Sequence, residues 1–188
     1  MAQVMPNGVD WIKETCSGID PKSNNVMLTG ATGTVNYRYL VLAAGIHIDW
    51  DKIEGLLPAL EEPNNGVCSN YSDSFVTKTW KTLQQFQGGN AIFTFPNTPI
   101  KCAGAPQKIM YLTDAYLRQK GVRDQTKIAY FTSLPIIFAA KHYAKSLMEL
   151  CRQRDLNVTV RHNLVRVDMK KRLAYFENLD RPDDPLLK

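Results

Sequence analysis

The feature that most constrains this fold is an alternation of apolar strands and amphipathic helices that begins at Asn90. Short runs rich in β-branched and aromatic residues are separated by longer segments with helical periodicity. Since strands joined by helices return to one sheet in the same direction, this order predicts a parallel β-α-β-α-β sheet with right-handed crossovers. The predicted strands cover residues 91–95, 128–132 and 158–161, the predicted helices cover 107–120 and 135–154, and a hairpin of 164–168 and 173–176 follows.

The residues before Asn90 favour β structure followed by a long connector. Val9 to Thr15 is predicted to form a strand, and residues 26–28 are predicted to pair with 34–37 around a glycine-containing turn. Tyr39 to Gly45 is a continuous apolar run, which is typical of a strand buried on both faces of a sheet. The connector contains one predicted helix, from about Ser72 to Phe86, before the Gly88-Gly89 pair.

Composition excludes several classes of function. The net charge is +5, but lysine and arginine are scattered among acidic residues, which argues against a nucleic-acid partner. The apolar runs are too short to cross a bilayer, and Met1 to Asn7 has no feature of a signal or transit peptide. The four cysteines and three histidines show no C-x-x-C or H-E-x-x-H spacing, so no metal site is predicted.

The loop T-F-P-N-T-P-I-K-C-A-G-A-P, residues 94–106, is the best candidate for chemistry. It joins a predicted strand to a predicted helix, at the sheet edge where ligands of open α/β folds bind. Cys102 would lie within about one turn of the positive end of the helix dipole. Together with Lys101 and Lys108, that position favours the reactive thiolate. The alternative, that Cys102 is a small apolar packing residue, stays open on the local sequence alone.

The same loop lacks the G-x-G-x-x-G glycines that admit a dinucleotide pyrophosphate at this position. Prolines at 96, 99 and 106 stiffen it instead. The sequence therefore predicts a dinucleotide-type fold whose loop holds a thiol in place of a nicotinamide cofactor.

Several stretches of the chain, taken together, resemble one known family. The most specific is K-C-A-G-A-P-Q-K, residues 101–108, within a longer match from Asn90 to Leu112. The others are residues 9–13, 37–41, 69–72, 132–134 and 175–180, so the likeness covers nearly the whole chain, to about residue 182. These stretches resemble sulfide:quinone oxidoreductase, in particular its animal mitochondrial type, within the flavoprotein disulfide reductase superfamily.

The resemblance implies an α/β, Rossmann-like FAD/NAD(P)-binding fold that is incomplete in this chain. It implies the C-terminal part of an FAD-binding domain over residues 1–48 and a connector over 49–89. A second Rossmann-like domain would cover 90–180, and a tail 181–188.

The resemblance also implies chemistry. Cys102 would form a sulfur bridge with a second cysteine much later in the family's chain. Hydrogen sulfide would attack that bridge to give a persulfide, and two electrons would pass through FAD to ubiquinone. A small thiol or sulfite would accept the sulfur, and the enzyme would associate peripherally with the mitochondrial inner membrane. Near the flavin, the resemblance places Cys16, Ala44 and Gly45.

Parts of the family pattern have no counterpart in this sequence, including the FAD glycine loop and the second catalytic cysteine. The chain is therefore expected to be the middle of such an enzyme. Two alternatives remain: a catalytically inactive fragment, or a related NADH:quinone flavoprotein. Cys151, on a helical apolar face, is expected to be a core residue, and an accessory redox role for Cys68 stays open.

Overall fold

The computed structural model describes residues 4–188. The chain is α/β and divides into two compact units, Met1–Gly45 and Ile46–Lys188. The first unit is a small antiparallel β structure, and the second contains the parallel sheet with its helices.

In the first unit, three strands pair in chain order: β1 Cys16–Asp20, β2 Asn25–Leu28 and β3 Thr34–Asn36. The pairing of β2 with β3 confirms the predicted turn structure between residues 26 and 37. The prediction of a strand over Val9 to Thr15 is wrong, because β1 begins only at Cys16. The Glu14 carboxylate instead accepts hydrogen bonds from the backbone and hydroxyl of Thr32, at 3.2 and 2.7 Å, which fixes this stretch against the next turn.

The apolar run from Tyr39 to Gly45 does not form the buried strand that its composition predicts. It has no regular secondary structure, and Tyr39 and Val41 are 84% and 86% exposed. A strand requires a neighbouring backbone with which to exchange hydrogen bonds. Among the described residues no strand pairs with this run, so its side chains stay in solvent.

The second unit follows the predicted alternation closely. Three strands, β4 Gly89–Phe95, β5 Thr126–Thr132 and β6 Leu156–Val160, lie in that order and are all parallel. Phe93 lies opposite Tyr130, and Tyr130 lies opposite Val158. The elements are α1 Leu56–Glu61, α2 Asp73–Gln85, β4 Gly89–Phe95, α3 Ala105–Lys120, β5 Thr126–Thr132, α4 Lys141–Gln153, β6 Leu156–Val160, β7 His162–Asp168 and β8 Leu173–Asn178. Short 3₁₀ helices cover Trp50–Lys52 and Arg123–Gln125.

Alternate side chains of β5 point to opposite faces of the sheet. Ile128 and Tyr130 are fully buried in a core with Met110 and Leu117 of α3 and with residues of α4. On the other face, Phe131 stacks on Phe176 of the β7–β8 hairpin, with ring centroids 4.0 Å apart. Helices therefore cover one face of the sheet and the hairpin covers part of the other.

One helix begins later than predicted, and one short helix was not predicted. The helix expected over Pro135 to Arg154 begins only at Lys141, and residues 133–140 form a series of bends. Buried Gln107 of α3 donates from Nε2 to the carbonyl of Ile137 at 2.6 Å, so that carbonyl has a tertiary partner. The short helix α1 was not predicted. By contrast α2 matches its prediction, with Ser72 as the N-cap residue accepting from the amide of Ser74.

A buried carboxylate connects the C-terminal half of α3 to neighbouring elements. Asp114 has no exposed side-chain surface, and its oxygens lie 2.6 Å from Arg123 Nε and 3.1 Å from Arg118 Nε. Arg154, which follows α4, lies 3.6 Å away. Arg123 also donates to three backbone carbonyls, so nearly all of its donors are satisfied inside the protein. The cluster fixes α3 relative to the N-terminal ends of β5 and β6.

Candidate functional site

The site is built on the loop between β4 and α3, where Cys102 lies just before the helix. The first helical residue is Ala105, and its amide donates to the carbonyl of Cys102 at 3.1 Å. Gly104 is the N-cap and Pro106 the second helical residue, close to the position predicted for it. The Cys102 side chain is exposed. An exposed thiol is therefore held within one turn of the positive end of a 16-residue helix.

The start of this loop is fixed by two side chains from other elements. The hydroxyl of Ser133, just after β5, donates to the carbonyl of Pro96 at 2.8 Å. The side-chain oxygen of Asn163, in β7, accepts from the backbone amide of Asn97 at 3.1 Å. Both contacts satisfy backbone groups that have left the sheet ladder, so the chain leaves β4 in a defined direction.

Arg161 strengthens the support around Ser133. It lies in the tight turn between β6 and β7 with a positive φ of 56°. Its guanidinium donates to the carbonyl of Ser133 at 3.2 Å and pairs with Asp180 at 2.8 Å. Its own amide donates to the carbonyl of Leu134. One side chain thus joins the loop after β5 to the turn after β8.

The other cysteines of the second unit are less accessible. Cys151 is buried, as expected, and its Sγ lies 3.6 Å from the hydroxyl of Tyr111. Burial raises the pKa of the Cys151 thiol, although the Tyr111 hydrogen bond opposes this. Burial also raises the pKa of the partly buried Cys68. Of the three cysteines in residues 46–188, Cys102 alone is both exposed and adjacent to a helix N-terminus.

The residues expected near the flavin all lie in the first unit. Cys16 is exposed at the start of β1 and its thiol donates to the carbonyl of Gly18 at 3.5 Å. Ala44 and Gly45 lie in the exposed segment after β3, and Gly45 has a positive φ of 77° that favours glycine. Cys102 belongs to the other unit.

These residues do not by themselves make a complete site for FAD. A pyrophosphate requires a row of backbone amides at a strand-to-helix turn. The glycine-containing turn of residues 29–33 joins two antiparallel strands instead. Two of its backbone amides already have partners, because Thr32 donates to the Glu14 carboxylate and Thr29 to the carbonyl of Thr15. Residues 4–188 therefore show no pyrophosphate cradle.

Sequence reasoning missed the residues that support the loop. Ser133 falls inside a stretch that carried the family resemblance, but its local sequence shows no sign of a role. Asn163 had no signal at all, because its partner Asn97 is 66 positions away.

The described part of the chain shows neither a metal site nor a membrane-spanning helix. Residues 4–188 contain no group of three or more histidine, cysteine or acidic side chains placed to hold a metal ion. None of the helices described there is long and apolar enough to span a membrane.

Comparison with known proteins relates the chain to one enzyme family, although no family model matches it. The mitochondrial sulfide:quinone oxidoreductase of Mus musculus is 48% identical over 181 residues, 96% of this chain and 40% of the mouse protein. The proteins of the same name from Dictyostelium discoideum and Schizosaccharomyces pombe are 37% and 36% identical, over 92% and 89% of this chain and 38% and 37% of theirs. The chain therefore spans about two fifths of the length of these relatives.

Solved structures confirm the fold class. A chain of the Tetrahymena thermophila mitochondrial ATP synthase superposes with a TM-score of 0.72 at 20% identity, over 93% of this chain and 44% of that one. The sulfide:quinone oxidoreductase of Aquifex aeolicus gives a TM-score of 0.63 at 20% identity, over 94% and 40%. At such identities the likeness concerns the fold, which is the Rossmann-like α/β fold predicted from the sequence. By sequence and fold together, the chain is a relative of the mitochondrial sulfide:quinone oxidoreductases and corresponds to about 40% of their length.

Proposed function

We propose that this chain carries the sulfur-reactive cysteine of a sulfide:quinone oxidoreductase, and that this cysteine is Cys102. The observation that carries the proposal is the exposed Cys102 thiol at the N-terminus of α3, in a loop fixed by Ser133 and Asn163. The thiol lies beside the positive end of α3 and next to Lys101 in the chain. A thiolate is the competent species for exchange with a sulfur–sulfur bond.

The chemistry at Cys102 would be an exchange reaction. In the oxidised enzyme Cys102 is bridged to a second cysteine, which lies outside the residues of this chain. Hydrosulfide attacks the bridge and a new sulfur–sulfur bond forms as the old one breaks. One cysteine keeps the added sulfur as a persulfide, and the other leaves as a thiolate with the electron pair. A small thiol or sulfite then accepts the sulfur.

The remaining components follow from the relatives. An FAD, when bound, would supply the two-electron redox chemistry that links sulfide oxidation to ubiquinone. Cys16, Ala44 and Gly45 are the residues of this chain proposed to lie near it, with the Gly45 backbone as the main contact. The names of the relatives support a mitochondrial location. We further propose peripheral association of the complete enzyme with the inner membrane.

The test is sulfide-dependent reduction of a ubiquinone analogue. It is applied to the chain alone and to the chain joined to the flanking regions of the mouse relative. Cys102→Ser should abolish turnover and leave flavin content unchanged, because serine preserves size but cannot form a persulfide. Cys151→Ser is the matched control, because Cys151 lies in the core and is only 1% exposed. This substitution should leave turnover largely intact. Near-normal sulfide oxidation by Cys102→Ser would refute the proposal.

Two observations favour a second possibility, that the chain alone is catalytically inactive. The apolar run Tyr39 to Gly45 is exposed, and the described residues hold no pyrophosphate cradle. Turnover that appears only after the flanking regions are joined would support this possibility for the isolated chain.

A further inference from the structure

The hydrogen bond between Asn163 and the loop that carries Cys102 joins residues 66 positions apart in the sequence. Asn163 is half-buried near the start of β7, and its side chain bridges two groups. Its Oδ1 accepts from the Asn97 amide at 3.1 Å, and its Nδ2 donates to the Glu177 carboxylate at 2.8 Å. The orientation of the amide is fixed by its partners, because a backbone N–H can only donate and an ionised carboxylate can only accept.

Glu177 is placed by the hairpin itself. It lies directly opposite Asn163 in the antiparallel pairing of β7 with β8. A cross-strand neighbour of this kind holds the Asn163 amide in one rotamer, with its oxygen toward Asn97. The two residues form a short chain of hydrogen bonds from the hairpin to the loop.

The rest of the loop transmits this anchoring toward the thiol. Ile100 and Ala103, on either side of Cys102, pack against the hydrophobic core. At the far end, the Cys102 carbonyl is bonded to the first turn of α3. The loop is thus held at its start by Asn163 and Ser133, in its middle by apolar contacts, and at its end by the helix. The anchor at the start is therefore one of three constraints on the position of Cys102.

We propose that Asn163, oriented by Glu177, is a positioning residue that holds the Cys102 loop against the N-terminus of α3. The proposal rests on the function proposed above, because it assigns Asn163 a role toward the thiol of that reaction. It predicts that the Asn163 side chain sets the neutral-pH reactivity of a residue it does not touch.

The experiment uses the purified chain and two measurements. Hydrogen exchange of the Asn97 amide reports the anchor directly, and alkylation of Cys102 by iodoacetamide at pH 7 and pH 10 reports the position of the thiol. In Asn163→Ala the Asn97 amide should exchange about two- to tenfold faster, the range expected for one lost hydrogen bond. Cys102 alkylation at pH 7 should fall about two- to fivefold, the size of a helix-terminus effect. At pH 10, where thiols are largely ionised, the rate should be unchanged.

A pair of substitutions supplies the rescue. Asn163→Asp keeps the acceptor for the Asn97 amide but sets a second carboxylate against Glu177, and it should behave like Asn163→Ala. Adding Glu177→Gln reverses the polarity of the cross-strand hydrogen bond and should restore both exchange and alkylation. Asn157→Ala, at an exposed asparagine of β6, is the control and should change neither measurement.

The outcomes separate the possible failures. An unchanged Asn97 exchange rate in Asn163→Ala, or faster exchange with an unchanged Cys102 rate, overturns the positioning role. Labelling of buried Cys151 in Asn163→Ala would show that this variant has unfolded. In that case the double variant decides, and absence of rescue there overturns the proposal. If wild-type Cys102 reacts no faster than exposed Cys16, the proposed function fails at its thiol, while exchange at Asn97 still decides whether the anchor exists.

Discussion

The buried carboxylate of Asp114 gives the sharpest prediction about what stabilises this fold. Asp114→Asn preserves shape but removes the negative charge that faces Arg123, Arg118 and Arg154 at 2.6, 3.1 and 3.6 Å. The new amide nitrogen would also point a donor at guanidinium groups that are themselves donors only. Arg123, with a side chain only 7% exposed, would keep its charge without a counter-ion.

The expected cost is large. Breaking a buried ion pair by removing one partner costs about 3–5 kcal/mol, because an uncompensated charge stays in the interior. For a unit of roughly this size, 1 kcal/mol shifts the melting temperature by about 3 °C, so Asp114→Asn should melt about 10–15 °C below the wild type. Since the total stability of a domain is about 5–15 kcal/mol, the loss is a large share of it.

The assay is thermal unfolding followed by circular dichroism, with denaturant unfolding to obtain the free energy. Asp184→Asn is the matched control, because its partner Arg181 is 3.4 Å away and both side chains are substantially exposed. An exposed pair contributes at most about 1 kcal/mol, so the control should melt within about 3 °C of the wild type. If Asp114→Asn costs no more than Asp184→Asn, the arginine cluster does not stabilise α3 as argued.

Four further predictions concern the thiols, the cofactor, the exposed apolar run and the core. Cys102 should be alkylated at pH 7 well before Cys151, whose pKa is raised by burial; mass spectrometry showing equal labelling would contradict this. The chain alone should bind FAD weakly or not at all, which stoichiometric flavin absorbance after purification would refute. Val41→Lys should reduce aggregation measured by light scattering, because Val41 is 86% exposed within an apolar run, and unchanged scattering would count against that run as the cause. Tyr130→Phe should leave the free energy of unfolding unchanged or raise it by about 1 kcal/mol, because the buried hydroxyl has no hydrogen-bond partner within the described residues. A clear loss of unfolding free energy in denaturant would show that the hydroxyl has a partner.

The parallel sheet could be predicted from the sequence because its signals are local. Strands β4, β5 and β6 are short apolar runs, and α3 ends at Gly121, which adopts the left-handed conformation with a φ of 78°. The position of Cys102 before α3 follows from the same local signals, since Pro106 and the preceding glycine mark the start of a helix.

Errors arose where a local pattern depended on a partner. The apolar composition of Tyr39 to Gly45 predicts a buried strand, but burial also requires neighbouring strands, and the described residues provide none. Likewise the start of α4 shifts from Pro135 to Lys141, in a region where Gln107 binds the carbonyl of Ile137 from 30 positions away.

The sequence by itself determined the order of strands and helices and the presence of a thiol at the N-terminus of α3, because periodicity and capping act over a few residues. Only the tertiary structure decided which groups hold that thiol in place. Ser133 reaches Pro96 across 37 positions and Asn163 reaches Asn97 across 66. Contacts at such separations form only when β5 and the β7–β8 hairpin have packed beside β4, and no local propensity encodes them.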